Sequence, residues 1–266
     1  MKEGLDFNDT FAPVAKPMTI RAVFAVATKY GCKLKAGDVE TAFLTSDMDC
    51  EVWVKMPALW GKGDDEITGS PCGDSATQTY QRSSWNPQGS RLYYETFETK
   101  LKEMGWQPAT ADKCLFLNPT LAERTAVIIW VDDFIFMHEK EETWVSFMKH
   151  LRQRFTIPTT GDLVTFLGMD IKYDSKAKTM SITQANSIET LLERAKMQDC
   201  NPCPAPCTAG LVFTKQDCPE PPTSAALCFE YRSLIALANF ISCWTRPDIT
   251  FTVNKLWRST GVRSSI

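Results

Sequence analysis

Residues 125–137 read TAVIIWVDDFIFM, with two adjacent carboxylates set between apolar, β-branched runs. Ala126, Val127, Ile128, Ile129, Trp130 and Val131 before the pair, and Phe134, Ile135, Phe136 and Met137 after it, read as the two strands of a β-hairpin with Asp132 and Asp133 at its turn. Aspartate is poorly suited to a strand interior and expensive to bury without a counter-charge, for which a divalent cation is the usual source. Aspartate is also a common turn former, so on the pair alone an ordinary Asp-Asp turn is the favoured reading.

A second acidic position shifts that balance. Asp38 sits in residues 34–44, LKAGDVETAFL, where Leu34 leads through Gly37 into the apolar Val39, Ala42, Phe43 and Leu44, so this carboxylate also falls at a strand end. Carboxylates delivered by separate strands can share two metal ions, and such a pair clamps the attacking and leaving oxygens of a phosphoryl transfer.

Five collinear stretches carry a family resemblance. GDVETAFL (37–44) and IIWVDDFI (128–135) resemble the first and second catalytic motifs of the reverse transcriptases of Ty1/copia-type LTR retrotransposons, usually close to LDVKNAFL and LLVYVDDIL. DFNDTFAPVAKPMTIRAVFAVA (6–27) is similar to the segment before the first motif, FLGMDIKY (166–173) to the primer grip, and YRSLIALANFISCWTRPDITFTVNKLWR (231–258) to the segment that closes the domain. Residues 83–106, SSWNPQGSRLYYETFETKLKEMGW, resemble the family's LYGLKQSGRLWYETF stretch, with Gln88, Arg91, Tyr94 and Phe97 matching. Ser84, Trp85 and Pro87 depart from it, and Trp85 replaces a glycine where a bulky residue cannot adopt positive φ cheaply. Trp130 stands where the family usually carries tyrosine.

The resemblance implies an α+β fold of the right-hand polymerase type: an antiparallel palm sheet packed on helices, partial fingers and a short helical thumb-like end. Its implied division is a palm with partial fingers and primer-grip hairpin over residues 1–198, a Pro/Cys-rich linker over 199–223 and a C-terminal helical segment over 224–266. It implies RNA-directed DNA synthesis, with Asp38, Asp132 and Asp133 as catalytic metal ligands for two Mg²⁺ ions, Mn²⁺ being the alternative ion. Hard carboxylate oxygens with open water positions suit that choice. By resemblance Phe43 is the steric gate that leaves no room for a ribose 2′-hydroxyl, Gln88 and Arg91 contact nucleotide, and Phe166, Leu167 and Gly168 position the primer. The implied partners are an RNA template, a DNA primer and deoxynucleoside triphosphates, with no oligomeric state indicated.

The basic fingers hairpin with a KARLVAKG-like stretch lies upstream of these motifs in the family, and the chain opens just after that point. A decayed or truncated copy, or a separate fragment of a longer protein, with impaired catalysis is therefore expected. The rival reading is a non-catalytic remnant that folds and binds nucleic acid or a protein partner. An unrelated metal-dependent phosphohydrolase would have the carboxylates but no His-rich ligand set, since His138 and His150 are the two histidines.

Bulk properties set the frame. The 266 residues, 44% hydrophobic and 23% charged, suit a globular protein with one large or two modest domains. No apolar run approaches the ~20 residues of a membrane span, and the N-terminus lacks a signal-peptide layout, so no membrane association and an intracellular location are expected. The resemblance narrows that location to the cytoplasm, in a virus-like particle, or the nucleus. A net charge of −3 and a pI of about 5.6 weigh against nucleic-acid binding, although Lys149, His150, Arg152 and Arg154 form a local basic patch. Ten cysteines without a secretion signal read as reduced thiols, and Cys200, Cys203, Cys207 and Cys218 fit a linker better than a zinc site.

Periodicity fills in the rest. Helices are expected over residues 18–30, with Ile20, Val23, Phe24 and Ala27 buried, and after residue 88, with Leu92, Tyr93, Phe97, Leu101 and Met104 inward. Others are expected over 141–155, 187–197, 231–243 and 247–257. Strands are expected over 32–39, 51–56, 114–118, 163–173 and 179–183, and a loop over 61–82.

Overall fold

The computed structural model describes residues 11–44, 53–55, 77–79, 88–208, 210 and 225–262. Its architecture is α+β, with antiparallel sheets and six α-helices among the described residues. The chain divides into two compact units, Met1–Asp162 and Leu163–Ile266.

In the first unit, helix α1 (Pro17–Tyr30) begins with proline in its first turn and stops at Gly31, whose φ of +74° suits a residue without a Cβ. Its buried face is Ile20, Val23, Phe24 and Ala27, as the spacing predicts. Strand β1 (Lys33–Asp38) follows, then a short 3₁₀ turn, Ala42–Leu44. Strands β2 (Trp53–Lys55) and β3 (Thr77–Thr79) pair antiparallel, so the expected loop over 61–82 contains a strand. That strand, Thr-Gln-Thr, has no apolar alternation to reveal it.

Helix α2 (Gly89–Glu103) leads to strands β4 (Gln107–Pro108), β5 (Leu115–Leu117), β6 (Ala126–Trp130) and β7 (Asp133–His138). Helix α3 (Glu141–Leu151) and strand β8 (Thr160–Asp162) complete the unit. Its main sheet has the order β4-β5-β6-β7-β1-β8, with every described pairing antiparallel. Phe134 to Met137 are all buried, so β7 is covered on both faces and reads as a continuous apolar run rather than an alternation. Phe134 and Phe136 point to one face and meet aromatics of α2 and α3: Phe97 at 6.2 Å and Phe147 at 4.3 Å between ring centroids. Phe155, expected within α3, lies beyond its last turn yet is buried against Phe97 at 5.1 Å.

Asp112 ties the start of α1 to the sheet. Its Oδ2 accepts hydrogen bonds from the Lys16 backbone N–H at 2.8 Å and the Thr19 hydroxyl at 2.6 Å, and its Oδ1 accepts from Cys114 N–H at 3.0 Å. Burial opposes ionisation of this carboxyl, but the hydrogen bonds from Thr19, Lys16 and Cys114 outweigh it and hold its pKa below the ordinary value.

The second unit holds a three-stranded antiparallel sheet, β9 (Thr165–Phe166), β10 (Met169–Asp174) and β11 (Thr179–Thr183). The single strand expected over 163–173 is broken at Leu167 and Gly168. These two have φ of +51° and +72° and join the paired Phe166 and Met169, the pattern of a two-residue type I′ hairpin. The sequence hides that turn because leucine occupies a position that usually takes asparagine or aspartate. Helices α4 (Ala185–Arg194), α5 (Ala225–Trp244) and α6 (Thr250–Val262) follow. The α5 helix packs against α4 and α6 and starts earlier than its periodicity predicts. Thr245 donates to the side-chain oxygen of the buried Gln184 at 2.7 Å. Among the described residues no helix is long and apolar enough to cross a membrane.

Candidate active site

Asp38 closes β1 and Asp133 opens β7, and the antiparallel register sets them directly opposite each other. One step along, Gly37 faces Phe134. A Cβ at Gly37 would stand 2.4 Å from Cζ of the Phe134 ring, so glycine is what lets this buried ring lie across β1. Asp133 is paired on its other side with Trp130 of β6, so the two-residue turn is Val131 and Asp132, one residue earlier than the expected Asp132 and Asp133, and Asp133 belongs to the strand. Val131 adopts φ +55°, a left-handed conformation that a β-branched side chain occupies only under strain. Beyond β1, the Val39 N–H donates to the Asp132 carbonyl oxygen at 3.0 Å. The turn is thus fastened to the strand that carries Asp38.

This construction sets Asp38, Asp132 and Asp133 at one end of the sheet. Asp132 is exposed, and Asp38 and Asp133 are half-buried. Burial, and then the negative charges of Asp132 and Asp38, raise the Asp133 carboxyl from the ordinary value to about 6. Acceptor-only carboxylates are the donor set that hard divalent ions prefer, so by their chemistry Asp38, Asp132 and Asp133 fit such a group. Among the described residues, Asp38, Asp132 and Asp133 included, no group of three or more His, Cys, Asp or Glu side chains is placed to hold a metal ion. Cys200 and Cys203 are exposed and Cys207 is partly exposed, and Cys218 lies outside the described residues.

Phe43, in the Ala42–Leu44 turn, is half-buried and meets Tyr93 of α2 edge-on at 6.2 Å. It borders a cavity of about 410 Å³ whose walls include Pro13, Ser90, Tyr93, Ile129 and Val131, adjoining the acidic turn. Gln88 precedes α2, is 3% exposed, and its carbonyl accepts from Leu92 N–H at 3.0 Å. Gly89 beside it faces the Cβ of Phe43, so Phe43 and the start of α2 come together. Arg91 lies on the same helix with its guanidinium on Glu95 at 2.9 Å. Ser84, Trp85 and Pro87 lie outside the described residues.

Phe166, Leu167 and Gly168 form the first hairpin of the second unit, with Phe166 buried and Gly168 exposed at the tip. The basic Lys149, His150, Arg152 and Arg154 are all exposed at the end of α3 and just after it.

Sequence reasoning missed four residues. Gly37 became legible only with the register, although aligning the two motif aspartates already sets it against Phe134. The strain at Val131 has no compositional mark. Asp112 carries the Asp-x-Cys signature of an Asx turn, but the long-range bonds to Lys16 and Thr19 are invisible in it. Tyr93, assigned to the apolar face of α2, has a phenol that burial and then Asp132, Asp38 and Asp133 raise well above its ordinary pKa.

The family model for reverse transcriptase (RNA-dependent DNA polymerase) matches residues 2–209. The chain is 24% identical over 262 residues to the retrovirus-related Pol polyprotein from transposon TNT 1-94 of Nicotiana tabacum, covering 97% of this chain and 19% of that protein. It is 25% identical over 255 residues to the retrovirus-related Pol polyprotein from transposon RE2 of Arabidopsis thaliana, covering 96% and 17%. The Pol polyprotein from transposon RE1 of the same plant matches at 25% over 261 residues, covering 96% and 16%. The chain therefore spans less than a fifth of the length of these relatives.

Proposed function

Because the chain belongs to the reverse transcriptase (RNA-dependent DNA polymerase) family found in the Pol polyproteins of Ty1/copia-type transposons, we propose that it performs RNA-templated DNA synthesis. The observation that carries this reading is the facing of Asp38 and Asp133 across β1 and β7, with Asp132 fastened beside them.

In this reading the main sheet and its helices are the palm. The functional division runs from a palm with partial fingers and primer-grip hairpin (1–198), through a linker (199–223), to a thumb-like helical end (224–266). Asp38, Asp132 and Asp133 would hold two Mg²⁺ ions, with Mn²⁺ as substitute. Bound there, the ions would lower the pKa of the primer 3′-hydroxyl and neutralise charge on the departing pyrophosphate. The carboxylates must be ionised for that, which for Asp133, raised to about 6 by burial and then by its acidic neighbours, asks for a pH above that value. Phe43 walls the sugar site and excludes a 2′-hydroxyl, Gln88 and Arg91 contact nucleotide, and the Phe166–Leu167–Gly168 hairpin places the primer end. Gly168, without a side chain at the tip, allows close backbone approach to that strand.

Primer extension on poly(rA)/oligo(dT) with dTTP and Mg²⁺ tests the reading, with the Asp132→Asn/Asp133→Asn double variant as control. Extension that vanishes in the variant is the expected result. Extension by neither, from folded protein, would reject it in favour of a non-catalytic remnant.

A further inference from the structure

The reaction outlined above makes no use of Tyr93. Its side chain is 2% exposed, and its hydroxyl finds no hydrogen-bond partner among the described residues. The ring is fixed on three sides, edge-on to Phe43 at 6.2 Å, against Phe97 at 5.7 Å and against Phe155 at 6.1 Å. It shares a cavity with Ile129 and Val131, the residues that lead into the acidic turn. The charges acting on the phenol are those of Asp132, Asp38 and Asp133. A buried hydroxyl forfeits its hydration unless it finds an acceptor, and carboxylates are acceptors only.

We propose that Tyr93 is a positioning residue of the acidic cluster: its hydroxyl donates to the carboxylates through one bridging water and orients them toward a divalent cation. The same ring backs Phe43, so one side chain links the cation site to the wall of the neighbouring cavity. An outer partner of this kind sets the direction of a ligand's lone pairs without touching the ion. The proposal rests on the reading of the cluster as a cation site and adds to it a residue of α2.

The test is Tyr93→Phe in the full chain, which keeps the ring and removes the oxygen. Mn²⁺ affinity is read by electron paramagnetic resonance, and the thermal midpoint is read in metal-free buffer. Mn²⁺ binding about tenfold weaker than in the parent, with a lower metal-free midpoint, is expected. Unchanged Mn²⁺ affinity in the variant would overturn the proposal, because a merely structural tyrosine would leave it unmoved. If the parent itself binds no Mn²⁺, the cation-site reading fails. The metal-free midpoint then judges Tyr93 alone: a lower value supports hydroxyl donation to the carboxylates, and an equal or higher one rejects it.

Discussion

Gly37 and Phe134 occupy facing positions of β1 and β7, and the Phe134 ring fills the space where any side chain at residue 37 would begin. The ring is 1% exposed and is held from behind by Phe97, Trp144 and Phe147, so it has little room to retreat. Gly37→Ala should therefore destabilise the protein by about 1–3 kcal/mol through overpacking. Urea denaturation would measure it, and pairing the change with Phe134→Leu should recover part of the loss. A Gly37→Ala protein as stable as the parent would show that the ring does not need this clearance.

Val131 bears its positive φ with 39% of its surface exposed, so it gives up little burial if replaced. Asparagine tolerates the left-handed region, and Val131→Asn should raise stability by about 1 kcal/mol. Primer extension should fall at the same time if the strained turn aims Asp132. A stability gain with unchanged extension would assign the strain no part in placing that carboxylate.

Asp133 gives the cluster a pH signature. Its folded pKa, about 6, lies above the value near 4 of an unfolded aspartate, so the native state favours the proton. Its contribution to stability is complete below the unfolded pKa and is lost as pH rises through the folded one. Asp133→Asn, which mimics the protonated group, should melt higher than the parent at pH 7.5 in metal-free buffer. The difference should close by about pH 4. Added Mg²⁺ should raise the parent's midpoint and leave the variant's nearly unmoved.

Asp112 should behave in the opposite sense. Its folded pKa is depressed, so its stabilisation is present above the unfolded pKa and disappears as pH falls through the folded value. Asp112→Ala removes three hydrogen bonds and leaves the buried Cys114 N–H unpaired, which should cost about 1–3 kcal/mol at pH 7. Denaturation curves at pH 7 and pH 2.5 would then converge for variant and parent at the acid end.

The hairpin at Leu167 and Gly168 offers a check on its turn type. Asn-Gly is the preferred type I′ pair, so Leu167→Asn should stabilise the second unit by about 0.5–1 kcal/mol. A loss of stability would mean that the partly exposed leucine side chain contributes more by packing than it loses in backbone strain.

The parts of the fold that the chain announced are those with strong periodicity or a strong stop. The α1 helix, from its four buried residues to Gly31, and the pairing of β6 with β7 follow from local rules alone, although the turn between them lies at Val131 and Asp132. What stayed hidden depends on partners distant in sequence. The Thr-Gln-Thr strand exists because of Trp53–Lys55, and the 163–173 segment splits at a turn whose first residue is a leucine. The carboxylates were legible because Asp is conspicuous among apolar neighbours. Tyr93 was not, because a tyrosine on the apolar face of a helix looks like core until its hydroxyl is located.

Asp133 and Asp38 ride on strands flanked on both sides, with β6 and β8 as the outer neighbours. Among the described residues β7 and β1 are each paired on both sides, whereas β4 and β8 are each paired on one. In solution, deuterium should reach the edge strands first and β7 last, so the chemistry-bearing strands would be the final part of the first unit to open. A chain losing its outer strands to partial unfolding would keep its two facing carboxylates in register until the whole sheet gave way.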